Sequence, residues 1–374
     1  MDQENSILDR VISSKKSTAI EQFNPTEVVS SLLKSLTSRE EDVLRRRYGL
    51  LNKERETLEE IGETYKVTRE RIRQIEKTAV SKVKNLKSFS SVVGNIENTI
   101  FGVLEQHGGV MSEDSLLSEL LQVIGDTAVN RQNLVFIISE LLDAKFKSLR
   151  QNEEYKASWQ IVHAPIHLLR EIIEILLDII QKHGKPMSSD EVLEHMKESE
   201  FYQSNQSQLS DDAIISYLDV SAQVAKNPFG DYGLAEWGSI IPKRMNDKIY
   251  LVLKRHGKPL HFTDIANKIN EIKFDNRKAY PPTVHNELIL NDRYILVGRG
   301  IYALKEWGYK PGVVAKVLVQ ILKKEDRTMT RDELVEKVLE QRIVKKNTIH
   351  LALTDKSTFN KLPDGTYALV KERA

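Results

Sequence analysis

The 374-residue sequence has no cysteine. That excludes disulfides, thiol nucleophiles and cysteine-ligated zinc. It also has no apolar run long enough to span a membrane. The longest, Ile172 to Ile180, is interrupted by Glu174 and Asp178. The first residues are too polar for a signal peptide, so a cytoplasmic location is expected, with no membrane partner. There is no glycine-rich phosphate loop, no nucleophile elbow and no paired-carboxylate signature. No catalytic residue, cofactor or small-molecule substrate is therefore expected, and the chain does not read as an enzyme. His163 and His167 have metal-like spacing, but Pro165 between them argues against one helical face, so no metal site is expected. Excess charge of one sign is missing too. Lys and Arg number 55 against 54 Asp and Glu, a net charge of +1, so any strongly basic stretch is a local feature.

One such stretch exists. Residues 57–84 read as two helices joined by a short polar turn. Thr57 is placed to cap the first, with Glu60 completing a capping box, and Leu58, Ile61 and Tyr65 share a face. Thr68 is placed to cap the second. In that second helix Ile72, Ile75, Ala79 and Val83 recur at helical spacing and form the buried side. Glu70, Arg73, Gln74 and Lys77 lie opposite, and Arg69 and Arg71 sit in the first turn. Between 68 and 88 the seven cations Arg69, Arg71, Arg73, Lys77, Lys82, Lys84 and Lys87 face only Glu70 and Glu76. A solvated charged face is the plain alternative. A basic stripe on a neutral chain is also the footprint of a phosphate backbone.

The order of motifs favours the second reading. Leu36-Thr-Ser-Arg-Glu-Glu-Asp-Val-Leu-Arg-Arg-Arg-Tyr-Gly-Leu50 is followed some twenty residues later by Thr68-Arg-Glu-Arg-Ile-Arg-Gln-Ile-Glu76. Together they resemble region 4 of the sigma-70 family of transcription factors, over about residues 25–88. The resemblance implies a helix that reads the minus-35 element of double-stranded promoter DNA. Carried over by position, Arg69, Glu70 and Gln74 become base readers, and Arg71 and Arg73 contact phosphates or flanking bases. Arg suits guanine, Gln suits adenine and a carboxylate suits the cytosine amino group. Lys77 and Lys82 extend the phosphate-binding side. The half at 36–50, with Arg45, Arg46 and Arg47, would pack beside the β-flap of bacterial RNA polymerase, or serve as the scaffold of the reading helix. A full sigma factor also needs an aromatic surface for unpaired bases. The stretch before the match carries one aromatic, Phe23, so no promoter melting is expected of this chain alone.

The remaining three quarters repeat. Gln106-His-Gly-Gly-Val-Met-Ser-Glu-Asp114, Lys182-His-Gly-Lys-Pro-Met-Ser-Ser-Asp190, Arg255-His-Gly-Lys-Pro-Leu-His-Phe-Thr-Asp264 and Lys324-Glu-Asp-Arg-Thr-Met-Thr-Arg-Asp332 occupy one slot, at steps of 76, 73 and 69 residues. Trp159, Trp237 and Trp307 keep a similar beat, each followed by a proline, Pro165, Pro242 and Pro311. The tryptophans are expected to seal small cores. A period this long suits a small domain copied in tandem rather than a solenoid. Each copy reads as three helices and a β-hairpin, a winged helix. The third, from Pro242 to Trp307, resembles the HARE-HTH family, which includes the N-terminal domain of the RNA polymerase delta subunit. The residues that carry this are His256-Gly-Lys-Pro-Leu, Asp264-Ile-Ala and Arg293-Tyr-Ile-Leu-Val-Gly-Arg-Gly-Ile-Tyr-Ala-Leu-Lys-Glu-Trp307.

The expected architecture is mainly α: a disordered segment 1–24, a helix-turn-helix module at 25–88, and four tandem winged-helix domains at 94–160, 166–238, 242–308 and 311–374. The expected function is that of a sigma-like factor that binds promoter DNA and associates with RNA polymerase to regulate initiation. The alternatives are a delta-like polymerase-associated protein that reads no DNA, and a DNA-surveillance adaptor of HARE-HTH type.

Overall fold

The computed structural model describes residues 24–164, 166–206, 209–309, 313–342 and 344–370. The segment expected to be disordered lies outside these residues except for Asn24, as do Pro165, Pro311 and the side chain of His167. The chain is mainly helical with small antiparallel sheets. It divides into two compact units. One holds the described residues up to Lys226 together with Gly230–Ala235, the other Asn227–Phe229 and the described residues from Glu236 onward.

The first unit opens with four helices: α1 (Pro25–Leu33), α2 (Ser38–Tyr48), α3 (Leu58–Tyr65) and α4 (Arg69–Lys84). Cap chemistry sets where three of them start. Thr37 and Thr57 form reciprocal capping boxes with Glu40 and Glu60, and the Thr68 hydroxyl accepts from the Arg71 amide. A first repeated module follows: α5 (Phe89–Gln106), β1 (Val110–Ser112), α6 (Glu113–Leu121), α7 (Ala128–Phe136), β2 (Phe146–Leu149) and β3 (Ser158–Ile161). The second contains α8 (Ile166–His183), α9 (Ser189–Lys197), α10 (Glu200–Asn205), α11 (Asp211–Val220), β4 (Val224–Lys226) and β5 (Tyr232–Leu234).

The second unit holds two more copies of this order. One runs α12 (Met245–His256), β6 (Leu260–His261), α13 (Phe262–Ile272), α14 (Pro281–Leu290), β7 (Tyr294–Gly298) and β8 (Ile301–Leu304). The other runs α15 (Val314–Glu325), α16 (Arg331–Leu339), α17 (Lys346–Ala352), β9 (Phe359–Lys361) and β10 (Tyr367–Leu369). Their cores are separate clusters, one around Ile249, Val252, Ile265 and Val284, the other around Leu318, Ile321, Leu334 and Ile349.

The repeated motif has a structural meaning that goes beyond a turn. Its apolar residue pairs antiparallel with an aromatic in the last strand of the same module: Met111 with Trp159, Met187 with Tyr232, Leu260 with Tyr302 and Met329 with Tyr367. The next residue caps the second helix. Ser112, Ser188, His261 and Thr330 each accept a backbone amide of its first turn. The first and third modules thus have a third, very short strand beside the expected hairpin, in the sheet orders β1-β3-β2 and β6-β8-β7, while the second and fourth make a single bridge there. The tryptophans do not occupy one position. Trp159 lies in β3 and is buried, whereas Trp307 ends a 3-10 turn after β8 and Trp237 follows β5; both are half-buried. The equivalent aromatics are Trp159, Tyr232, Tyr302 and Tyr367.

The chain turns out of the first helix of each module through a left-handed residue: Gly108, Gly184, Gly257 and, in the fourth, Asp326 at φ 46°. An L-residue there carries a steric penalty that glycine lacks. Asp326→Gly is expected to raise the stability of the second unit by about 1 kcal/mol, read by thermal denaturation of the full chain.

Residues 89–93, left between the expected helix-turn-helix module and the expected first winged-helix domain, belong to the first turns of α5, and Val93 is fully buried. Phe89, Val92, Val93 and Ile96 fall at helical spacing, which the intervening serines conceal. They pack in one continuous core with Val29, Leu32, Leu33, Leu44, Ala79 and Val83 on one side and Leu134, Phe136 and Trp159 on the other. The helix-turn-helix and the first repeated module therefore share a core. A broad-specificity protease is expected to leave 89–106 intact while native chain remains, because the backbone there is helical and one face is packed. Early cleavage at 89–94 would contradict the shared core.

Candidate nucleic-acid interface

Helices α3 and α4 meet at a tight turn. Lys66 is left-handed at φ 53° and its amide bonds back to Gly62 and Glu63. A Cβ on Gly62 would lie 2.8 Å from the Val67 carbonyl oxygen, so only glycine lets the chain enter α4 this close to α3. Gly62 is a functional position that the reading of the sequence passed over. Val43, Leu58, Ile61 and Ile72 form the small core under the turn, with Tyr65, Val67 and Ile75 packed on it.

Burying that side fixes which side of α4 faces out. Arg69, Glu70, Arg71, Arg73, Gln74, Lys77 and Lys82 are all exposed. The first five crowd the first two turns. Lys77 and Lys82 stand farther along, lining an open groove of about 620 Å³ with Ser35, Ser81 and Asn85. Several of these side chains hold one another. Glu70 accepts from Arg73 at 2.7 and 2.9 Å, Arg71 donates to Gln74 at 3.2 Å, Arg69 reaches Glu59 on α3 at 2.9 Å, and Lys82 reaches Glu40 on α2 at 2.6 Å. The guanidinium of Arg73 holds the Glu70 carboxyl below its usual range, and the Lys82 ammonium does the same to Glu40. Solvent-exposed pairs of this kind contribute only about 0–1 kcal/mol, so they orient the side chains without locking them.

Arg45, Arg46 and Arg47 are placed differently. Arg45 pairs with Glu41 at 2.6 Å, Arg46 with Asp42 at 2.7 Å and Glu56 at 3.2 Å, and Arg47 with Glu76 on α4 at 3.3 Å. All three are half-buried. Burial alone would push the Asp42 carboxyl up, but the Tyr65 hydroxyl at 2.8 Å and Arg46 outweigh it and hold it below its usual range. These groups tie α2 to α3 and α4 and set the angle at which α4 is presented. Tyr48 closes the back of the module against Phe136, ring centroids 4.9 Å apart. Burial, with Glu140 and Glu76 nearby, keeps its phenol neutral by pushing its pKa far up.

Residues 32–85 match the family described as sigma-70, region 4. The RNA polymerase sigma factor SigA of Nostoc sp. is 45% identical over 86 residues, which is 22% of this chain and 22% of that protein. SigA1 of Synechococcus elongatus is 52% identical over 59 residues, 16% of this chain and 15% of the relative. SigA of Lactococcus lactis subsp. cremoris is 49% identical over 59 residues, 16% of each. The chain matches about a fifth or less of the length of these relatives. Residues 32–85 are thus a sigma-70 region 4 segment, set in a chain whose larger part these similarities do not cover. Among the described residues no cluster of three or more His, Asp or Glu is placed to hold a metal ion, and no helix is long and apolar enough to cross a membrane.

Proposed function

We propose that this chain is a sigma-like transcription factor that binds minus-35-type promoter DNA through α4 and associates with bacterial RNA polymerase to regulate initiation. The observation that carries the reading is the outward face of α4. It presents three arginines, a carboxylate and an amide in its first two turns, where a recognition helix meets base edges. Arg69, Glu70 and Gln74 are the base readers. Arg71, Arg73, Lys77 and Lys82 lie against phosphates, the last two along the groove wall.

The repeated order of a first helix, a capped second helix, a further helix and two strands, with the short α10 added in the second module, supports winged-helix folds for the four modules, with the third of HARE-HTH type. Their proposed extents keep the expected limits, except that the first module is continuous with the region 4 segment. The polymerase contact is proposed for the region 4 segment, next to the β-flap. Arg45, Arg46 and Arg47 can serve it only by giving up internal ion pairs, so they act there as supports of α4.

Arg69→Ala tests the reading role. Losing one side chain that bonds a base edge is expected to cost about 1–3 kcal/mol on the preferred duplex and to relax discrimination at one position. Equal losses on preferred and scrambled duplexes would leave Arg69 a mere cation and favour the polymerase-associated reading without sequence recognition. Affinity capture of the full chain from its native cell tests the other half, with polymerase subunits the expected companions.

A further inference from the structure

In each repeated module one helix packs on the helix that the repeated motif caps, as α4 packs on α3: α7 on α6, α11 on α9, α14 on α13 and α17 on α16. It is the counterpart of the helix that enters a groove. In the first two modules that helix is already engaged. Along α7, Asn133 donates to the Thr26 hydroxyl at 2.8 Å, and that hydroxyl donates to Asn130 at 2.8 Å. Gln132 packs against Gly49 at the end of α2, and Leu134 and Phe136 enter the core shared with α1 and α2. Along α11, the buried Ser216 hydroxyl donates to the Val110 carbonyl at 2.7 Å, the Tyr217 hydroxyl to the Gly108 carbonyl at 2.7 Å, and Asp212 accepts from Gln106 at 2.8 Å. Lys156, from the β2–β3 connection of the preceding module, donates to the Asp219 carbonyl at 3.0 Å near the end of α11. Each helix is thus seated on the segment that precedes its own module.

We propose that α7 and α11 are clamp helices: the position that reads DNA in α4 is used here to bind the preceding module. The first two modules then make no groove contact through these helices, and α4 is the DNA reader of the first unit. For α11, charge agrees with this. The first turn of α11 carries Asp211 and Asp212, where α4 carries Arg69 and Arg71, and carboxylates there repel a phosphate backbone. Packing agrees too. Withdrawing α7 would expose Leu134 and Phe136, and withdrawing α11 would leave the Ser216 hydroxyl without its buried acceptor. The assignment stops at the first unit. On α14 the outer residues Ile289 and Leu290 are 61% and 81% exposed, and Lys345 and Lys346 stand exposed at the start of α17.

The clamp role depends only on the first unit, while the claim about α4 rests on the function proposed above. Amide hydrogen exchange on the full chain separates the two. In free protein, amides of 132–136 and 215–220 are expected to exchange within about tenfold of those in the buried stretch 96–104 of α5. Adding a minus-35-type duplex is expected to slow 69–77 and leave both clamp helices unchanged. Fast exchange at either clamp in free protein, or a change there on adding duplex, would overturn the proposal. Unchanged exchange at 69–77 would sink DNA reading by α4 while the free-protein data still judge the clamps.

Discussion

Raising salt from 50 to 200 mM is expected to weaken binding of the full chain to a minus-35-type duplex by about a hundredfold. Each phosphate neutralised by a cation releases condensed counterions, which lowers the slope of log affinity against log salt by about 0.9. Four such contacts, from Arg71, Arg73, Lys77 and Lys82, give a slope no steeper than about −3.6. Bulk charge cannot supply this term, since the whole chain carries a net charge of only +1. The structure also orders the four. Arg73 and Lys82 are paired with Glu70 and Glu40, so on binding they exchange a carboxylate for a phosphate and yield less than a free cation does. Lys77→Gln is therefore expected to shift the slope by close to the full unit and Lys82→Gln by less. Titrations of the two variants at three or more salt concentrations measure both slopes. A salt-independent affinity would remove the electrostatic argument for α4.

What could be read in advance was local. Thr57 with Glu60, and Thr68 at the head of α4, signal helix starts within four residues, and the structure has both caps. The apolar stripe Ile72, Ala79 and Val83 is buried and the cations opposite it are exposed, because one helix face decides both. What could not be read depends on distant partners. The first strands are two or three residues long, and each is recognisable only through an aromatic some forty to fifty residues later. The tryptophan beat misled because Trp237 and Trp307 follow the final strands instead of lying in them. The shared core was hidden for a related reason. An apolar helix face has the same spacing whether its partner is in its own module or the one before, so Phe89, Val93 and Phe136 give no sign of which they join. The run Arg45-Arg46-Arg47 looked like a surface for a partner, and its acids, Glu41, Asp42, Glu56 and Glu76, come together only in the folded chain.

Two glycine substitutions at the same end of the first module are expected to act with opposite sign. Gly102 lies inside α5 with open space where a Cβ would be, so Gly102→Ala should gain about 0.5–1 kcal/mol from helix propensity. Gly108, just beyond the end of α5, is left-handed at φ 72°, and a Cβ there would lie 2.5 Å from the Tyr217 hydroxyl and 2.8 Å from the Ala213 Cβ, both on α11. Alanine in that backbone conformation costs about 1–2 kcal/mol. Forcing α11 outward adds about 1–3 kcal/mol of overpacking and strains the bond from Tyr217 to the Gly108 carbonyl. Gly108→Ala is thus expected to lose about 2–5 kcal/mol, which for a unit of this size lowers its melting temperature by about 4–20 °C. Calorimetry on the full chain reads both variants, and hydrogen exchange shows where the loss falls. Because the strain acts at the seat of α11, exchange should accelerate over 211–220 before it does over α4. If Gly108→Ala is as stable as the parent, α11 does not press on that turn, and the second module is held by something other than the clamp. If the loss appears but spreads evenly over the first unit, the clamp is part of a single cooperative core, and the modules of that unit unfold together.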